Sequence, residues 1–261
     1  MNADHTILQG DCLELLPTIP NASVDLLIAD LPYGTTYANW DQVIPMERLW
    51  PEVLRVTKPK APLLFFASNP FSSFLVSSRP DLYRTEWVWN KGMGANFANA
   101  RRHPLKVHES ILVFSTGQSP YFPQKTVDRS LTEAQFRSKL GKHSTPRRSA
   151  TQKMDSPRNL DFDKDSEGFR LKFPKSILDS PKHSSQGREY PHPTQKPVAL
   201  IEYLIRTYSK EGDTVLDPTC GSGSTGVAAL RTSRKSIQIE KEPRYAEMSK
   251  SQLAKESLRD Y

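Results

Sequence analysis

The segment Val215-Leu216-Asp217-Pro218-Thr219-Cys220-Gly221-Ser222-Gly223-Ser224-Thr225 constrains the fold of this chain more than any other. A short apolar strand runs into a glycine-rich turn, which opens a helix over about 226–231. The unpaired backbone N–H groups and dipole of such a helix favour an anion at its start. Gly221 and Gly223 let a ligand come close to the backbone. Phosphate is one candidate anion and a carboxylate is another. A phosphate-binding P-loop needs Lys after its last glycine, and Ser224-Thr225 stand there instead, so that reading fails. Gly226 supplies a third glycine at dinucleotide-fold spacing, which leaves that option open. The next strand, 236–239, leads into Glu240, where an acid can accept both hydroxyls of an adenosine ribose.

The first third of the chain repeats the alternation. A strand is expected over 6–9, with a helix from Cys12 to about residue 16. The run 24–29 is apolar and too short for a comfortable helix, so it reads as a buried strand. A helix over 46–56 follows, then strands over 63–67, 84–89 and 110–115. After residue 191 the pattern returns, with helices over 198–208 and 243–258 and a strand over 214–216. Such alternation predicts an α/β fold with a mainly parallel central sheet.

Between these parts lies a different stretch. Residues 118–190 hold 15 Lys and Arg against 9 Asp and Glu, which is most of the chain's net charge of +7. The stretch is too long for an ordinary connecting loop. It is either a disordered insertion or a basic module that docks on nucleic acid, and Tyr121, Phe122, Phe162, Phe169 and Phe173 offer it apolar anchors. The domain expectation is therefore 1–117 with 191–261 as one body, and 118–190 as the insertion. At 261 residues the chain suits one domain with such an addition.

Composition narrows the setting. No run of about 18 apolar residues exists, so no membrane span is expected. The first eleven residues have no apolar core of a secretory leader. Two cysteines, Cys12 and Cys220, lie far apart and fit a reducing, cytoplasmic location. The six histidines make no zinc pattern, His103 and His108 included, so no metal is expected.

A second motif, Asp30-Leu31-Pro32-Tyr33, closes the apolar run 24–29 where open α/β sheets place ligands. An exocyclic amino group is a poor nucleophile because its lone pair is conjugated with the ring. A carboxylate and a backbone carbonyl that accept its two hydrogens would free that lone pair. Pro32 stiffens the loop, and Tyr33 offers a face for an extruded base. The same residues could also be a capped turn with a structural tyrosine.

Together the two motifs resemble the amino-methyltransferases, in which an acid- or amide-Pro-Pro-aromatic tetrapeptide accompanies a glycine-rich cofactor motif. The order, with the catalytic motif first and the glycine-rich motif last, resembles the circularly permuted β-type DNA enzymes. The resemblance covers about 6–117 and 191–250. It implies a Rossmann-like methyltransferase fold, S-adenosyl-L-methionine as cofactor, and double-stranded DNA as partner. His192-Pro193-Thr194-Gln195-Lys196-Pro197 is similar to the segment lining the methionine end of the cofactor pocket. Gly10-Asp11-Cys12 resembles the segment whose acid meets the adenine amino group, and Trp89-Asn90-Lys91 and His108-Glu109-Ser110 resemble framework positions.

By the same resemblance, Asp217 with Pro218, Thr219, Cys220 and Ser222 would approach the cofactor. Gly221, Gly223, Ser224 and Thr225 would surround its carboxylate, Glu240 would hold its ribose, and Asp30 would border it. Asp30 and the Leu31 carbonyl would accept the amino hydrogens, with Tyr33 stacked on the base. Leu31 departs from the family's usual Pro. The leading Asp resembles adenine-N6 enzymes, whereas cytosine-N4 enzymes more often begin with Ser. Arg101 and Arg102, and Arg147 and Arg148 in the insertion, would meet phosphates. A homodimer is a further implication, and an accompanying restriction enzyme would make this a modification enzyme. RNA or protein amide methylation, or a binding protein of this fold without turnover, are the other readings.

Overall fold

The computed structural model describes residues 4–34, 41–95, 97, 100–132, 169–179 and 195–259. The chain divides into two compact units, 1–122 with 176–261, and 123–175.

The larger unit is built on an eight-stranded sheet. Its strands are β1 (His5–Gln9), β2 (Leu26–Ala29), β3 (Leu63–Ala67), β4 (Tyr83–Ala95), β5 (Lys106–Phe114), β8 (Ile177–Asp179), β9 (Thr214–Asp217) and β10 (Lys235–Glu240), in the spatial order β1-β10-β9-β2-β3-β5-β4-β8. All neighbours are parallel except around β5, which runs antiparallel to both β3 and β4. The mainly parallel sheet expected from the alternation is therefore present. The smaller unit holds a two-stranded antiparallel ribbon of β6 (Thr126–Thr132) and β7 (Phe169–Lys172). β8 falls within the stretch read as insertion, yet it pairs with Val88–Asn90 of the main sheet.

The central strands are apolar throughout because both faces are covered, as buried parallel sheets require. Side chains alternate between two cores. Leu27 and Ala29 of β2, with Leu63, Phe65 and Ala67 of β3, join one cluster. That cluster includes Leu49, Trp50 and Val53 of helix α2 (Met46–Val56), and Phe71 and Leu75 of α3 (Phe71–Ser78). Leu26, Ile28, Leu64 and Phe66 point the other way, onto α4 (Val198–Tyr208) and α5 (Ser224–Arg231). The α2 residues Met46, Leu49, Trp50, Val53 and Val56 fall at helical spacing, so one stripe is buried and the rest is wet. Short α1 (Cys12–Leu15) and the closing α6 (Pro243–Ser257) complete the layers.

Two further features of the larger unit were not expected. Helix α3 begins with Phe-Ser-Ser-Phe, and its polar serines blur the apolar period that marks a helix. Strand β4 extends to Ala95, well past residue 89, and pairs as far as Lys106. β3 ends opposite Ser110, so the β4–β5 hairpin overhangs the carboxyl edge of the parallel strands. Among the described residues, no helix is long and apolar enough to cross a membrane.

Candidate functional site

Strands β2, β9 and β10 all point the same way, so their carboxyl ends, and the loops after them, share one edge. This is where open α/β sheets bind ligands. Asp30 follows β2, Asp217 ends β9 and Glu240 ends β10. The sheet therefore brings the two sequence motifs together, although 189 positions separate Asp30 from Thr219.

The junction is explicit. The Thr219 hydroxyl donates to the Asp30 backbone carbonyl at 3.1 Å. The Thr219 N–H donates to Asp217 Oδ1 at 3.1 Å, and the Thr225 hydroxyl donates to Asp217 Oδ2 at 2.5 Å. Asp217 thus fastens the strand end to the first turn of α5. It is buried with neutral donors only, and burial pushes its carboxyl up to about 7 against the pull of these hydrogen bonds.

The glycine turn behaves as its sequence suggests. Gly223 has φ +90°, and a Cβ there would lie 2.3 Å from Ser249 Oγ, so no other residue fits. A Cβ on Gly221 would meet nothing within 4 Å, which leaves open space beside that backbone. No side chain caps the start of α5. The Ser224 hydroxyl there is buried without a hydrogen-bond partner. Glu240 accepts from the Gly221 N–H and the Glu242 N–H, both at 2.8 Å, and burial raises its carboxyl. Cys220 is buried and its thiol is pushed well up by burial, as is Cys12, to about 11. Neither is placed for nucleophilic chemistry at neutral pH.

On the other motif, Leu31 is only 2% exposed and belongs to the core cluster with Ala67 and Phe71. An anchored apolar side chain at Leu31 restrains the loop at the position of the tetrapeptide's first proline, while the second proline is present as Pro32. Tyr33 stacks on Phe71, with ring centroids 5.0 Å apart, and its hydroxyl donates to Asp30 Oδ1 at 2.8 Å. Burial, chiefly, and the nearby carboxylates raise the Tyr33 phenol far above its usual range, so it stays protonated. One face of the ring is therefore against protein. Gly34, at φ +67°, donates its N–H to Asp41 Oδ1 and closes the loop.

Lys196 lies just before α4, whose first turn is set by Pro197. Its ammonium reaches Asp30 Oδ2 at 2.7 Å and Glu109 Oε2 at 3.3 Å. Lys91 holds the other oxygen of Glu109 at 2.8 Å. Burial works to lower the Lys196 ammonium, but Asp30 and Glu109 outweigh it and raise it above its usual value. Burial likewise works to raise Glu109, and Lys196 and Lys91 outweigh it, so the carboxyl lies below its ordinary range. The sequence marked Lys91 and Glu109 only as framework. Their partnership could have been read from one clue, an acid and a base on adjacent strands.

Other expected residues lie further out. Asp11 caps α1 through the Leu13 N–H at 2.9 Å and pairs with Lys241 at 3.2 Å. Pro218 and Ser222 lie within the turn between β9 and α5. Arg101 and Arg102 are exposed in the overhanging β4–β5 connection, close in sequence to Phe97, which is 68% exposed. Arg147 and Arg148, and His192 to Thr194, lie outside the described residues. Among the described residues, no group of three or more His, Cys, Asp or Glu side chains could hold a metal ion.

An acid after one strand, joined by a threonine to a glycine turn and a second acid, forms a ligand site at the carboxyl edge of an open α/β sheet. A family model described as DNA methylase matches residues 24–251, and the chain belongs to that family. The DNA adenine methyltransferase YhdJ of Escherichia coli is 30% identical over 97% of this chain and 83% of its own length. The type II methyltransferase M.HpaI of Haemophilus parainfluenzae is 26% identical over 97% of this chain and 75% of its own. Among solved structures, TTHA0409 from Thermus thermophilus, complexed with S-adenosyl-L-methionine, superposes with a TM-score of 0.60 at 23% identity, covering 98% of this chain and 96% of that one.

Proposed function

We propose that this DNA methylase transfers a methyl group from S-adenosyl-L-methionine to the N6 amino group of adenine in double-stranded DNA. The observation that carries the reading is the Thr219–Asp30 bond, which joins the catalytic loop to the glycine turn in one site. The adenine assignment draws support from the leading Asp30 and from the likeness to the adenine methyltransferase YhdJ.

The residues present fit the cofactor. The unpartnered Ser224 hydroxyl, the uncapped start of α5 and the open space at Gly221 suit a carboxylate. Glu240 accepts two N–H groups and, with about four lone-pair sites, can also accept ribose hydroxyls. S-adenosyl-L-methionine supplies a methyl group already activated on a sulfonium, so positioning and desolvation provide most of the acceleration.

The rest is done by this chain. Asp30 and the Leu31 carbonyl accept the two amino hydrogens of a base taken out of the duplex. Tyr33, packed on Phe71, forms a wall for that base. Arg101 and Arg102 meet phosphates from the overhanging hairpin, and the basic stretch 118–190 reads the target sequence. The enzyme acts in the cytoplasm, as a monomer or a homodimer that sedimentation would distinguish.

The test is transfer of tritiated methyl to unmethylated duplex DNA, followed by nucleoside analysis. Label in N6-methyladenine from wild type, lost in Asp30→Ala, is the expected result. Label in N4-methylcytosine, in RNA or in protein overturns the substrate assignment. Equal labelling by both proteins overturns the role of Asp30.

A further inference from the structure

Asp30 is one end of a run of four charged groups, and the reaction described above uses only that end. Lys91 and Glu109 come from β4 and β5, where Trp89 is opposite Glu109, so Lys91 is its diagonal neighbour on the same face. Lys196 comes from the other end of the chain, ahead of α4. The four alternate in sign, Lys91, Glu109, Lys196, Asp30, with separations of 2.8, 3.3 and 2.7 Å. Lys196 is 11% exposed and Glu109 15%.

We propose that Lys196, held by Glu109 and Lys91, is a positioning residue that fixes the catalytic carboxylate and assigns its two oxygens different tasks. Lys196 pins Oδ2. Oδ1, which the Tyr33 hydroxyl occupies in this structure, is the oxygen that takes the amino hydrogen of the substrate base. This rests on the function proposed above.

The terminal torsion of an aspartate is broad, so a carboxylate without a fixed partner does not keep one oxygen in one place. A hydrogen-bonded cation fixes it, since charge-assisted bonds are short and strong. The cation must itself be fixed, and Glu109 lies on one side of the Lys196 ammonium while the Phe66 ring lies 5.2 Å from it. Moreover, burying ions is costly, and a buried pair is seldom the most stable filling for its space. An array of four that ends on the reacting carboxylate is better accounted for by geometry than by stability.

This gives Lys196 a different task from the one its sequence neighbourhood implies. With its ammonium committed to two carboxylates, it has little left to offer the methionine end of the cofactor. The two roles separate experimentally. Steady-state methylation of duplex DNA is measured for wild type, Lys196→Met, Lys196→Arg, Glu109→Gln and the Lys196→Met/Glu109→Gln double variant, with S-adenosyl-L-methionine affinity from calorimetry.

The positioning role predicts that Lys196→Met lowers kcat about 10- to 100-fold, the scale of a small misplacement of a reacting group. Cofactor affinity should stay within about two-fold, because the bound cofactor is not the partner of Lys196. Lys196→Arg should recover part of kcat. Glu109→Gln should lower kcat less, and the double variant should be no worse than Lys196→Met, since Glu109 acts through Lys196. An unchanged kcat in Lys196→Met, or a loss of cofactor affinity that matches the loss of activity, overturns the proposal. If Lys196→Met does not fold, Lys196→Arg and Glu109→Gln decide, and wild-type kcat in both overturns it. A wild type that labels no DNA sinks the functional reading itself, whereas an active wild type with equally active variants sinks only the positioning role.

Discussion

Asp30 and Asp217 stand at the ends of neighbouring parallel strands, and their carboxylates are held in opposite ways. Asp30 is partly open, faces a lysine and shares one oxygen with a phenol. Asp217 is buried, sees only a backbone N–H and a hydroxyl, and has its carboxyl pushed up to about 7. A cation holds the first in one orientation, whereas neutral donors make the second a fastener between strand and helix. Two identical side chains at the ends of neighbouring strands are thus set apart by their partners, and the proposed mechanism gives the reacting role to the one that faces a cation.

The comparison can be broken most severely at Asp30. Asp30→Ala should lower kcat on the order of 10³-fold, the range of a positioned proton acceptor, read by tritiated methyl transfer. A far smaller loss would mean that the two aspartates are less different than their surroundings suggest. Next in size is the positioning effect of Lys196.

Asp217→Asn should leave the fold intact and change how stability responds to pH. The folded-state pKa of Asp217 is raised above its unfolded value, so its contribution is fully present below about 4 and lost as pH rises through about 7. The melting temperature of wild type relative to Asp217→Asn should therefore fall between pH 4 and pH 8. The span is roughly 2–4 kcal/mol, or about 5–10 °C, by scanning calorimetry at a series of pH values. A constant difference would remove the contrast from the titration side.

Tyr33→Phe sharpens the other half. The phenol makes one hydrogen bond to Asp30 Oδ1 that an entering amino group replaces. Its removal should change kcat/KM by about 0.5–1.5 kcal/mol, less than 15-fold, with the stack on Phe71 preserved. The smallest effects belong to Arg101 and Arg102. Each substitution by Ala should weaken DNA binding at low salt and reduce the slope of log affinity against log salt by about 0.9.

Much of the frame was legible because it is local. The runs ending at Ala29 and Ala67 are too apolar and too short for anything but buried strands, and 198–208 repeats its apolar face at helical spacing. The glycine turn was legible because Gly223 permits no substitute. Helix α3 was not, since serines interrupt its pattern, and three-residue β8 has no period to read. The ion-pair array was hidden for a different reason. Its members sit on β4, on β5 and ahead of α4, and only the antiparallel register at Trp89–Glu109 and the return of the chain at Lys196 bring them together. Beyond the acid and base on adjacent strands, spacing along the chain carries no trace of the meeting with Lys196.

The bond from Thr219 to the Asp30 carbonyl also sets a timetable. A growing chain makes Asp30 early, then spends most of its synthesis without either Lys196 or the glycine turn. The N-terminal portion supplies strands β1 to β5, but Asp30 meets Thr219 only once β9 and β10 have joined the sheet between β1 and β2. On the proposed mechanism, a chain cut short before that stretch should transfer no methyl group to DNA. The same stitching means that two fragments, divided within residues 133–168, could regain activity only by docking β9 and β10 into the gap left for them.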